Sequence, residues 1–130
     1  MNHPNRDLIQ RANNAFGRGD IPSVLGGIFG KEIRWHVPGQ CALSGDYFGH
    51  EQVLGFFQKL WTFRKARCAR ELHDVVASGT TVFVLCTVSA TRSAQRAEFL
   101  EVHVWRIAEG RAIEFREVQG DEYAETKFFT

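Results

Sequence analysis

Apolar residues recur along this chain at two different periods, and the change between them falls near residue 67. Leu8, Ile9, Ala12 and Phe16 share one face of a helix predicted over Asn5–Gly17, with Gly17 and Gly19 as its stop signal. Asp20 is a favoured capping residue and Pro22 suits a first turn, so a short second helix follows that buries Val24, Leu25 and Ile28. From Lys31 to Val37 the pattern alternates, with Ile33, Trp35 and Val37 against Glu32, Arg34 and His36; this is a strand, ended by Pro38-Gly39. After a polar, glycine-rich loop, helical spacing returns over His50–Phe63 through Val53, Leu54, Phe57, Leu60 and Trp61.

From Arg67 onward the chain reads as strands: Cys68–Ser78, Thr81–Thr91, Arg96–Ala108 and Arg111–Gln119. Their separators, Ser78-Gly79, Ser93-Ala94 and Glu109-Gly110, are short enough for antiparallel hairpins. A polar-aromatic tail, DEYAETKFFT, closes the sequence. Helices followed by long hairpin-connected strands predict an α+β fold. A single antiparallel sheet of this length curls, and N-terminal helices covering one face make a cone whose open end is a natural small-molecule pocket. With no linker, repeat or low-complexity stretch, residues 1–130 are expected to form one domain.

Composition narrows the function classes. Sixteen Lys/Arg against fifteen Asp/Glu leave a net charge of +1, without the basic excess that phosphate binding requires. The one basic run, Arg64, Lys65, Arg67 and Arg70, reads as a solvated face at a helix end. Cys41, Cys68 and Cys86 are odd in number and widely spaced, as expected of reduced thiols in the cytoplasm. The N-terminal residues hold no apolar segment that would suggest a signal peptide or a membrane span. No histidine or cysteine spacing matches a metal site, and no glycine pattern matches a phosphate-cradling loop, so neither a metal nor a cofactor is expected.

Three residues are candidates for chemistry. His36 sits beside Trp35 at a strand end; it is either a pocket group suited to proton transfer or the outward member of an alternating pair. His103 shares a strand face with Glu101, Trp105 and Ile107, and needs a partner if buried. Asp121 has the parity of Ile113 and Phe115, which would aim it at the interior; alternatively it caps the C-terminal turn.

Five stretches in order, AFGRGD, WHVPG, LSGDYFGHEQVLGFF, HVWRIAEGRAIEFREV and GDEYAETKFF, resemble the nuclear transport factor 2-like superfamily, and within it the SnoaL-like and ketosteroid-isomerase-like proteins. The resemblance implies the same helix-covered, curled sheet, usually a homodimer through the sheet. It places the isomerases' general base on His36 and their oxyanion tyrosine on Ala12, which cannot donate; steroid isomerisation is therefore not expected. It also likens His103 and Asp121 to the acid/base pair of SnoaL-like polyketide cyclases. The expected ligand is hydrophobic, carbonyl-bearing and possibly polycyclic, held by Phe16, Trp35, Tyr47, Phe57, Trp61, Trp105 and Tyr123. His36, His103 and Asp121 would then move a proton next to a carbonyl. The alternative is a non-catalytic binding or dimerisation module.

Overall fold

Alternation in the second half of the chain is strict enough to fix which side of each strand is covered. In β4 (Thr81–Arg92), Val82, Val84, Cys86, Val88 and Ala90 are buried, while Phe83 and Leu85 on the other face are exposed. The structure, a computed structural model, describes residues 3–62 and 67–130, without the side chains of residues 61, 62, 67 and 68. Its elements are α1 (Pro4–Gly17), α2 (Ile21–Gly27), β1 (Phe29–Val37), β2 (Gly45–Phe48), α3 (Gly49–Thr62), β3 (Arg67–Ser78), β4, β5 (Gln95–Ala108), β6 (Arg111–Gln119) and α4 (Glu122–Phe128).

The six strands form one curled, unclosed sheet in the order β2-β1-β6-β5-β4-β3. Neighbours run antiparallel except β1 and β6, which pair in parallel. The two strands are far apart in sequence and have helices and hairpins between them, so no tight turn constrains their direction. Ser93 and Ala94 carry φ of 48° and 67°, the left-handed pair that a two-residue hairpin needs to match strand twist. An extra residue in β3 between Leu72 and Asp74, and one in β6 opposite the step from Arg106 to Ile107, add local bends that help the sheet curl.

α1 and α3 lie against the concave face, and the closed end of the cone is filled by aromatic rings. Trp35 faces Phe115 across the parallel pair, and their rings stack at 3.8 Å and 20°. Trp105 meets Trp35 edge-on at 5.7 Å, and Phe16, Phe29, Phe56 and Phe57 complete the cluster. Such ring pairs contribute about 0.5–1.5 kcal/mol each beyond the area they bury.

Because the stack ties the first strand to the last, Trp35→Ala should cost ~3–5 kcal/mol. Denaturant unfolding measures this directly. A loss below ~1 kcal/mol would mean that the cluster repacks without Trp35.

Candidate functional site

Beyond the aromatic plug, the concave face changes from rings to carboxyls. On β5, Glu101 and His103 point inward with Trp105; on β6, Glu117 and Gln119 point inward with Phe115. Register sets His103 beside Glu117 and Glu101 beside Gln119. β4 adds Cys86 opposite Glu101, and β3 contributes Arg70 one pair further along. α4 then folds over this end. Its entry depends on Gly120, whose amide donates to the Leu100 carbonyl at 2.9 Å; a Cβ there would meet the same oxygen at 2.9 Å. The turn delivers Glu125, only 3% exposed, onto Glu101 and Glu117.

These groups floor a cavity of about 50 Å³. Its polar lining is Arg70, Glu101, Glu117, Gln119, Glu125 and Thr126; Val37, Leu43, Phe56, Leu60, Val88 and Phe129 supply apolar walls. Three buried polar atoms of the lining have no hydrogen-bond partner: Glu125 Oε2, Gln119 Oε1 and Arg70 Nε. Glu101, Glu117 and Glu125 each present one carboxyl oxygen within 4.8 Å of the other two, a spacing that could hold a cation. Cys86, Glu101 and His103 form a second such set behind the first.

Burial sets the charge states. It lowers the His103 pKa despite the bond to Glu101, which keeps the imidazole neutral. Its Nε2 can then donate to Glu101 Oε1 at 2.7 Å. Burial alone would raise Glu101, but hydrogen bonds from His103 and Glu125, with the charge of Arg70, leave it below the usual carboxylate value. Its neighbours move the other way. Burial and the charge on Glu101 push Glu117 up to about 8. Burial and the bond to Glu101 push Glu125 up to about 11. Burial, then Glu101, holds Cys86 as a thiol, raised to about 12. One ionised carboxylate thus lies between two neutral carboxyls.

The expected site residues are distributed differently. His103 is buried as expected, but it reaches the cavity through Glu101 and does not line it. His36 points away: alternation turns Trp35 inward and His36 to the opposite face, where it meets Asp46 at 2.6 Å and Glu114 at 3.1 Å. Asp121 is exposed and its carboxylate accepts from the Ala124 amide at 3.0 Å, so it caps α4; β6 has already ended at Gln119, which breaks the parity expected to carry it inward. Trp35, Phe16, Phe57 and Trp105 pack into the ring cluster, outside the cavity lining. Tyr47 packs on Phe56 and donates to the Leu43 carbonyl, while Tyr123 is 78% exposed. The Trp61 side chain lies outside the described residues. Of the basic run, the side chains of Arg64, Lys65 and Arg67 lie outside the described residues; Arg70 stands half-buried on β3 with its guanidinium over the Phe16 ring, where it lines the cavity.

A family model described as a SnoaL-like domain matches residues 9–115. The chain belongs to the SnoaL-like family. Among curated proteins none matches it in sequence. Among solved structures, it is similar to Bal32a from a soil-derived mobile gene cassette, at 26% identity and TM-score 0.90, covering 98% of this SnoaL-like chain and 97% of that one. It is also similar to an NTF2-like protein of unknown function from Burkholderia pseudomallei, at 27% identity, TM-score 0.89 and 99% of both chains. TerC, co-crystallised with polyporic acid, shares the fold at 22% identity and TM-score 0.87, covering 98% of each chain. Among the described residues, no helix is long and apolar enough to cross a membrane.

The raised carboxyls make stability depend on pH. Folded Glu117 binds a proton up to about pH 8, whereas an unfolded glutamate has lost it above the model value of 4.5. The folded state therefore holds more protons across that window, and stability falls as pH rises through it, by at most ~1.4 kcal/mol per pH unit for one group. Glu117→Gln should flatten the fall between pH 5 and 8 and raise stability at pH 8. Unfolding curves at several pH values test this, and an unchanged slope would show that Glu117 is ionised in the fold.

Proposed function

We propose that this SnoaL-like protein binds a small carbonyl compound in the carboxyl-floored cavity and moves a proton next to its carbonyl, without a cofactor. The observation that carries this reading is the ionised Glu101 set between the neutral Glu117 and Glu125, in a cavity with unpartnered polar atoms. Carboxyls whose environments push their pKa values apart divide into a base and an acid. Glu101 accepts the proton from the carbon beside the carbonyl, and the C–H electron pair becomes the enol double bond. Glu117, whose value of about 8 lies near cellular pH, gives its proton to the carbonyl oxygen. Glu101 then gives its proton to another carbon of the enol while Glu117 recovers its own from the enol oxygen as the carbonyl reforms, so an isomerisation needs no oxidant. His103 is a positioning residue that orients Glu101 through the 2.7 Å bond.

The ligand in this closed form is small. Pockets for drug-sized ligands run to roughly 300–1,000 Å³, against about 50 Å³ here. A polycyclic ligand is too large for a cavity of this volume. The apolar walls agree with a hydrophobic ligand body. The buried thiol Cys86 and the half-buried Cys41, both unbridged, agree with the reducing cytoplasm.

The convex face supports a homodimer. Phe83 pairs with Val104, and Leu85 with Val102, which pairs in turn with Val118, giving a continuous apolar stripe. Phe83, Leu85, Leu100 and Val118 on that face are 43%, 38%, 54% and 46% exposed. Sedimentation should return twice the chain mass for the wild type and the chain mass for Leu85→Lys. A monomeric wild type would discard the dimer.

Proton transfer can be tested before the substrate is known, by following deuterium exchange into pentane-2,4-dione in D2O by NMR. Exchange above background should drop at least a hundredfold in Glu101→Gln and decline as pH rises through about 8, where Glu117 ionises. Asp121→Asn should exchange at the wild-type rate, since Asn also caps helices. Binding of the diketone with no exchange above background would leave a ligand carrier; loss of exchange in Asp121→Asn would return the role to Asp121.

A further inference from the structure

The cavity floor carries more negative capacity than its surroundings neutralise. The titratable groups around it are Cys41 from the loop before β2, Arg70 from β3, Cys86 from β4, Glu101 and His103 from β5, Glu117 from β6 and Glu125 from α4. Among the described residues, α3 presents Phe56 and Leu60. Among the described residues of the lining, Arg70 alone is cationic, against three carboxyls. The resting cavity balances itself by keeping protons on two of them. A monovalent cation of the right shape can take the place of one of those protons.

The acceptor spacing admits an ammonium. An ammonium donates three hydrogen bonds in a tripod; at ~2.8 Å each, its acceptors stand roughly 4.6 Å apart. The trio's oxygens lie within 4.8 Å of one another. Glu125 Oε2, on a side chain 3% exposed, and the amide oxygen of Gln119 are both buried without partners in the same lining. Gln119 directs its amine to Glu117 at 2.7 Å, which leaves its carbonyl for an occupant. The apolar walls suit an alkyl body, whereas a small divalent metal ion prefers to keep several waters. We infer that the cavity binds small alkylammonium ions, the head group seated on Glu101, Glu117 and Glu125 and the alkyl chain against Leu43, Phe56 and Phe129. This ligand class uses the proposed pocket but not its chemistry, and it would compete with a neutral carbonyl compound.

Titration calorimetry with propylammonium, in buffers of different ionisation enthalpy at pH 6, 7 and 8, tests the inference independently of any turnover. Binding should be one to one, should release protons, and should tighten by up to about tenfold per pH unit as protons are displaced more easily. Propan-1-ol, the neutral analogue, should bind at least tenfold more weakly, and propionate should not bind. Glu117→Gln, with its fold checked by circular dichroism, should weaken propylammonium and reduce the proton release. Equal affinity for propan-1-ol and propylammonium, binding without proton release, or displacement of propylammonium by millimolar Mn²⁺ would each overturn the inference. Diketone exchange with no propylammonium binding would overturn it while leaving the proposed reaction intact.

Discussion

The stack of Trp35 on Phe115 is the contact on which the architecture depends. It joins the first long strand to the last, across the sheet's one parallel pair, and every other ring of the closed end packs around it. A curled sheet held only by hairpins would leave β1 and β2 without a seat. Filling the narrow end with rings also settles where a cavity can exist. With Phe16, Phe56 and Phe57 packed beneath the helices, the carboxyl-floored cavity lies toward Glu101, Glu117 and α4.

At that end, electrostatics and packing oppose one another. Three carboxyls with oxygens within 4.8 Å of one another cannot all ionise away from water, and among the described residues of the lining Arg70 alone offsets them. The molecule keeps Glu101 ionised with donors from β5 and α4, and leaves Glu117 and Glu125 neutral. This arrangement costs stability at high pH. It also produces neighbouring carboxyls in different protonation states, which an apolar lining could not provide.

Much of this was legible residue by residue. Alternation through Ile33, Trp35 and Val37 gave the inward face of β1 and, read strictly, the outward position of His36. The shared face of Glu101, His103 and Trp105 was equally plain, and it carries the glutamate inward with the histidine. Glu117 and Gln119 share parity with Phe115; the same argument that singled out Asp121 would have found them first, because they stand before the strand ends. Glu125 was hidden for a different reason. Its spacing to Phe128 and Phe129 marks a buried helix face, but only the turn at Gly120 decides that this face covers the carboxyls. For Phe16, Trp35, Phe57 and Trp105 the reason is three-dimensional: composition cannot separate a ring that lines a cavity from one that plugs it.

The arrangement of the floor bears on how the protein reaches its folded state. Glu101, His103, Glu117 and Gln119 come from one hairpin, so their mutual approach closes only a short loop. Trp35 meets Phe115 across a much longer stretch of chain. In the open chain at neutral pH the same glutamates are wetted and ionised, whereas in the fold Glu117 and Glu125 hold protons. Closing the floor therefore takes up protons. Alkaline medium opposes that uptake through the chemistry of the floor alone, before any ligand enters.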